Sequence, residues 1–207
     1  MPELNTVATK RMTLVEALEV LHGARRGEVV ITTMGNAREW QKLSKDPLDL
    51  IYVPSSMGQA TSLALGIALS QPDRKVVVGS GDGSMLMNLG SLVTISAQAP
   101  ANLTVIVFDN GVYEVTGAQP TAAAPPMRAG SAPVDFAALA RASGFTQVYA
   151  FDAVQSWKGA VVEVLRGPGP TFVHLRVEPM ADAGLPAVPG PAPERARALR
   201  AELTRVG

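Results

Sequence analysis

The sequence predicts an α/β domain, a three-layer, doubly wound, mostly parallel sheet with helices on both faces and a helical tail at the C-terminus. Three observations predict it. β-rich runs and helix-like segments alternate from about residue 28 to 177. The joints between successive β runs are of crossover length, which parallel strands require. The run LTVIVF at 103–108 is apolar throughout, as a strand covered on both faces must be.

The elements follow in order. Residues 13–21 read as an amphipathic helix, with Leu14, Ala17, Leu18 and Leu21 on one face and Thr13 as N-cap. Short β runs at 28–32 and 49–54 come next. The segment 57–70 is helical and rich in Gly, Ala and Ser, so it can sit close against a sheet. A strand at 76–79 leads to a helix over 85–98, then to the strand at 103–108. The Pro/Ala/Gly stretch 116–133 is long for a loop inside a domain, which suggests a lid or mobile segment. A helix at 134–142, a strand at 146–149, a helix at 153–165 and a strand at 171–177 complete the sheet region. A Pro-rich link at 184–192 leads to a charged helix at 194–206. The expected organisation is an N-terminal arm over 1–12, one domain over 13–178, and the link and tail over 179–207.

Composition narrows the function. The 207 residues suffice for one sizeable domain with a core. Apolar residues make up 47% and charged residues only 17%, so part of the apolar surface is expected to face a partner. Formal net charge is zero, so nucleic acid and anionic membrane are not expected partners. The absence of cysteine excludes disulfides, thiolate metal sites and cysteine nucleophiles. The N-terminus lacks the apolar run of a signal peptide and no stretch approaches a membrane span, so a cytoplasmic location is expected.

In doubly wound sheets, ligands bind at the carboxyl ends of the strands. Two polar side chains fall there. Asp82 sits between Gly81 and Gly83 after the run at 76–79, and Asn110 follows the run at 103–108. The glycines allow close approach of a ligand, and the helix expected to begin near Ser84 offers free N–H groups to an anion. An acid there would repel an anion unless a divalent cation joins them. Mg²⁺ is commonly shared between one or two carboxylates and phosphate oxygens. Asp82 and Asn110 are 28 residues apart, about one strand–helix–strand unit. GDG alone is a common turn, but GDG followed one crossover later by the DNG turn is far more specific. Asn110 offers a neutral carbonyl oxygen, and the turn Gly111–Val112 can offer a backbone carbonyl. Ser84 has no nucleophile elbow around it, and GSGDGS lacks the dinucleotide-binding spacing.

The stretch from GDGSMLMNLG to VFDNGVY resembles the diphosphate-binding motif of thiamine diphosphate (ThDP) enzymes. VPSSMGQATSLALGIALS at 53–70 resembles the segment that lies under the thiazolium ring in those enzymes. The likeness covers roughly residues 13–178 and is closest to β-type subunits of 2-oxoacid decarboxylases acting on sulfopyruvate or phosphonopyruvate. It implies that Asp82, the Asn110 side chain and the Val112 carbonyl ligate Mg²⁺. It implies that Gly81, Gly83 and Ser84 hold the diphosphate, with Tyr113 beside them. Ser55 would offer its carbonyl to the aminopyrimidine, and Met57 would prop the cofactor into its bent shape. Thr33, Gly35 and Asn36 would lie near the phosphates or substrate.

Members of the family that decarboxylate pyruvate carry an acid three residues past the tyrosine matching Tyr113. Thr116 stands there, which argues against pyruvate as substrate, and Glu114 reads as a solvated loop charge. The family's glutamate, which hydrogen-bonds the aminopyrimidine, belongs to a separate pyrimidine-binding domain not recognisable in this chain. The resemblance therefore implies a hetero-oligomer with an α-type partner subunit, alongside any self-association, and a small 2-oxoacid substrate. Two alternatives stand beside the decarboxylase. One is half of an acetolactate synthase-like carboligase or a 2-oxoacid oxidoreductase; the other is a non-catalytic ThDP-binding or partner-stabilising subunit.

Arg38 and Arg128 are the basic residues expected near the mouth of the site, for the anionic tail of such an oxoacid. His22 and His174 read as a helix-end and a core histidine, Trp40 and Trp157 as packing or interface residues, and the tail as a solvated helix or a clasp on a partner.

Overall fold

The computed structural model describes residues 11–124, 132–181, 184 and 187–205. In chain order the strands are β1 (Met12–Thr13), β2 (Val29–Thr32), β3 (Asp49–Ile51), β4 (Val76–Gly81), β5 (Leu103–Asp109), β6 (Val112–Tyr113), β7 (Gln119–Pro120), β8 (Gln147–Phe151) and β9 (Thr171–Glu178). The helices are α1 (Leu14–Ala24), α2 (Met34–Leu43), α3 (Ala60–Ser70), α4 (Asp82–Leu86), α5 (Gly90–Gln98), α6 (Phe136–Ala142), α7 (Val154–Arg166) and α8 (Ala192–Leu203).

Seven strands form one parallel sheet in the order β3-β2-β4-β5-β9, with β8 and β1 both paired to β9. Alternation along each strand divides the core. Val30, Val77, Ile106 and Phe108 pack with the side chains of α1, α2 and α7, around Trp40 and Trp157. Val76, Val78, Val105 and Val107 pack on the other face with α3, α5, α6 and α8. This is the three-layer sheet that the alternation predicts. The step from β2 to β3 runs toward one edge, whereas β4 and β5 lie on the other side of β2. The order reverses between β2 and β4, so a crevice opens at their carboxyl ends.

Several boundaries differ from expectation, each for a local reason. The first helix is capped as expected: Thr13 Oγ1 accepts the Glu16 N–H, and Glu16 Oε2 accepts the Thr13 N–H in return. Met12, expected in an arm, is 1% exposed and pairs with Val177 in the sheet. Helix α2 is absent from the sequence reading because TTMGNAREW shows little apolar periodicity; it buries Ala37 and Trp40 with the polar Asn36 and Glu39.

The expected helix 85–98 is two helices. Asn88 Nδ2 donates to the Gly58 carbonyl at 2.8 Å, and the chain breaks there. Gly58 itself, at φ +86°, delays α3 to Ala60, and a Cβ on it would lie 2.9 Å from Asn88 Cβ. The first part of the stretch 116–133 carries β7, which pairs back on β6, and the turn after it. Residues 125–131, with Arg128, lie outside the described residues.

The tail packs on its own chain. Leu199 of α8 is 6% exposed in the α3-side core, and Arg195 donates to the carbonyls of Ile51 and Val53 at the open side of β3. Trp40 and Trp157 are both fully buried, so both serve packing. Trp40 Nε1 donates to Asp49 Oδ1 at 3.0 Å, and Trp157 Nε1 donates to the Ala17 carbonyl at 3.1 Å. His22 stands in the last turn of α1, edge-on to Trp40.

Candidate functional site

Three strand ends build one pocket. Past β2, Thr33, Met34, Gly35 and Asn36 open α2 and line it. Past β4 come Gly81, Asp82, Gly83 and Ser84. Past β5 come Asn110 and Val112, and the ribbon adds Tyr113 and Glu114. Met57 enters from the segment before α3. Ser55 stands one contact away, with its hydroxyl on the sulfur of Met34 at 3.7 Å. Apart from Ser55, the residues expected to hold the cofactor, 50 or more positions apart in some cases, thus share one crevice at the switch point.

Small residues set its floor. A Cβ on Gly81 would meet nothing within 4 Å, so open space lies above it. A Cβ on Gly83 would lie 2.4 Å from the Tyr113 ring, which packs directly over that backbone. A Cβ on Gly35 would lie 3.2 Å from Glu114 Oε2 and 3.3 Å from Met180 Cε. Gly111 turns the chain after Asn110 at φ +74°, against Ala124. Asn110 Oδ1 accepts the Val112 N–H at 2.9 Å, which holds its side chain over its own turn.

Asp82 is 2% exposed. Burial pushes its carboxyl up from 3.8 to about 6; the Thr121 hydroxyl, 2.6 Å from Oδ2, pulls it back, and the charge of Asp109 pushes it up again. Asp109 is itself buried, with His174 Nε2 2.8 Å from Oδ2 and the Gly111 N–H donating to Oδ1 at 3.2 Å. No lysine or arginine lines the pocket among the described residues. Arg38 is turned to Glu39 and to the sulfur of Met180 instead.

The donor set suits a divalent cation with its anion. A buried carboxylate without a cation and two neutral oxygens, Asn110 Oδ1 and the Val112 carbonyl, are hard ligands. Thr33 Oγ1 and Asn36 Nδ2 are buried and have no hydrogen-bond partner, as groups awaiting a ligand would be. Among the described residues no three acidic, histidine or cysteine side chains cluster, so a metal held by Asp82 would need neutral oxygens beside it.

Three features are not evident in the motifs. Thr121 is read from sequence as part of a lid, but it is buried against Asp82. Glu114 is not a solvated charge: Oε1 accepts the Met180 N–H at 2.7 Å and the side chain lines the pocket. His174 is a core residue, as expected, but only one nitrogen is partnered; Nδ1 is bare.

Residues 31–175 match the family model described as thiamine pyrophosphate enzyme, C-terminal TPP binding domain. The chain is 40% identical over 196 residues to a phosphonopyruvate decarboxylase of Streptomyces viridochromogenes, covering 94% of this chain and 47% of that protein. It therefore spans about half the length of that relative. It is 38% identical over 175 residues to the sulfopyruvate decarboxylase subunit beta of Methanothermobacter thermautotrophicus, covering 84% of this chain and 86% of the other. A solved structure of a thiamin diphosphate-dependent enzyme from Mycobacterium smegmatis superposes with a TM-score of 0.65 at 20% identity, over 82% of this chain and 32% of that one, which shows a common fold.

Proposed function

The chain belongs to the thiamine pyrophosphate enzymes, through their C-terminal TPP binding domain, and from that premise we propose that it is the ThDP- and Mg²⁺-binding part of a 2-oxoacid decarboxylase of the sulfopyruvate or phosphonopyruvate type. The observation that carries the reading is the pairing of the Asp82 and Asn110 turns at one switch point, beside two unpartnered buried polar groups.

In this reading Asp82, Asn110 Oδ1 and the Val112 carbonyl hold the metal. The backbone N–H groups of Gly83 and Ser84, with the Ser84 hydroxyl, hold the diphosphate, and Gly81 leaves room for it. Thr33 Oγ1 and Asn36 Nδ2 gain partners from the phosphates or the substrate. Met57 supports the cofactor from below, with Ser55 and Gly35 at the margins. When bound, ThDP supplies an electron sink for the carbanion left as CO₂ departs. The chain's own share is to anchor the cofactor, exclude water with Tyr113 and the β6–β7 ribbon, and shape one wall for the oxoacid.

A partner chain with a pyrimidine-binding domain supplies the activating glutamate. Supporting this are the exposed apolar side chains after the Asp82 turn: Met87 is 56% and Val93 58% exposed. The relative from Methanothermobacter thermautotrophicus is itself named as a beta subunit. The pocket wall carries Asp82 and Glu114 and no lysine or arginine among the described residues, so the cation for a sulfonate or phosphonate comes from Arg128 or from the partner.

The test is calorimetric titration with ThDP, with Mg²⁺ and with EDTA, on the chain and on its complex with the partner, alongside Asp82→Ala. Mg-dependent binding that the variant loses supports the reading. No binding by chain or complex overturns it. CO₂ release from sulfopyruvate or phosphonopyruvate by the complex, without acceptor, separates the decarboxylase from a carboligase or oxidoreductase.

A further inference from the structure

We propose that Thr121 is a positioning residue for the metal site, locking the Asp82 carboxylate and the Asn110 turn into one frame. The inference rests on the cofactor reading above. Thr121 lies outside both motif turns, 39 positions after Asp82, where the chain leaves β7.

All of its polar atoms are engaged. Oγ1 donates to Asp82 Oδ2 at 2.6 Å and accepts the Ala123 N–H at 3.2 Å. Its own N–H donates to the Gly111 carbonyl at 2.8 Å, and its carbonyl accepts the Ala124 N–H at 3.1 Å. The residue is 6% exposed, so water hardly competes for these bonds.

The effect is geometric. A carboxylate can turn about its Cβ–Cγ bond, and a hydroxyl on Oδ2 fixes that turn and so fixes where Oδ1 points. Gly111 is gripped at both ends, its N–H by Asp109 and its carbonyl by Thr121. That residue lies between Asn110 and Val112, the two other protein groups assigned to the metal. Asp109 in turn is anchored on buried His174. The two turns come from different strands, and Thr121 is the residue bonded to both. A hydroxyl suits the task because it orients the carboxylate without neutralising the charge that the cation needs. Residues that orient a metal ligand commonly carry a 10–100-fold share of affinity.

The test compares Thr121→Val, which keeps the shape and removes the donor, with Thr121→Ser, which keeps the donor. Mn²⁺ and Mg²⁺ affinity in the presence of ThDP is measured by calorimetry on whichever form of the protein binds in wild type, chain or complex. Thermal midpoints are taken without metal. The expected result is about 10–100-fold weaker metal binding for Val and affinity within about threefold of wild type for Ser. A merely structural Thr121 would lower the midpoint and leave the affinity of the folded protein unchanged. Wild-type affinity in Thr121→Val overturns the inference while leaving the cofactor reading intact. If Thr121→Val does not fold, Thr121→Ala is judged by the same criterion. Absence of metal-dependent ThDP binding in wild type overturns the cofactor reading itself, and the inference with it.

Discussion

Glu114 Oε1 accepts the Met180 N–H at 2.7 Å, joining the ribbon over the pocket to the chain just past β9. Its other oxygen faces Gly35. One half-buried carboxylate thus ties together three segments at the pocket rim. Glu114→Ala should cost about 1.5–3 kcal/mol, the usual worth of a hydrogen bond to a charged group. Glu114→Gln, which keeps an acceptor, should cost less than half of that. Urea unfolding of the two variants decides, and an equal loss in both would assign the effect to charge instead.

Asp82 sets a pH dependence. Its carboxyl lies at about 6 in the folded protein against 3.8 ordinarily. The folded state then holds the proton more tightly, so stability without metal is greatest at low pH in this respect. It falls as pH rises from about 4 to about 6, by up to about 3 kcal/mol. Asp82→Asn removes that loss while the amide oxygen still accepts from Thr121. The variant should therefore melt higher than wild type at pH 7.5 without metal and gain nothing from Mg²⁺ and ThDP. A lower melting point for Asp82→Asn would show that the buried charge is not a burden on the fold.

Gly83 has no room for a methyl beneath the Tyr113 ring. Gly83→Ala should destabilise by about 1–3 kcal/mol, the range for overpacking. Added to Tyr113→Ala, the same substitution should cost close to nothing. A double-mutant cycle with a coupling below 0.5 kcal/mol, a value at the noise of such cycles, would refute the contact.

A buried cluster holds the far end of the sheet. Arg25 Nη1 lies 2.6 Å from Asp49 Oδ1, which also takes the Trp40 indole N–H, while Ser44 Oγ donates to Oδ2 at 2.5 Å. Both charged side chains are 6% exposed. Asp49→Ala removes the buried carboxylate and leaves the guanidinium with the Glu28 carbonyl and the more exposed Asp46, so it should cost about 3 kcal/mol, the lower end for a broken buried pair. Arg25→Met with Asp49→Leu together should cost less than Asp49→Ala alone, as read from denaturant midpoints.

The sheet was legible in the sequence because each strand carries its own signal, such as the unbroken apolar run at 103–108. The pocket was legible because GDG and DNG each sit at a strand end, and the fold brings strand ends together. What escaped is held by contacts across the chain. Thr121 lies in a stretch whose composition says loop, and only its distance from Asp82 reveals its place. Helix α2 hides because Asn36 and Glu39 are buried polar residues that break the apolar stripe. The break at Asn88 depends on a carbonyl 30 residues earlier. Glu114 reads as solvated until the chain beyond β9 arrives to meet it.

Arg195 caps the carbonyls of Ile51 and Val53, the groups that a bare border strand would offer to a neighbouring molecule. The tail helix thus guards against strand-to-strand stacking between copies, a common route to insoluble assemblies. A proteolytic nick between residues 187 and 191 would remove little mass. By freeing that guard it would expose the border strand to self-association, a hazard that Arg195→Ala should reproduce in light scattering.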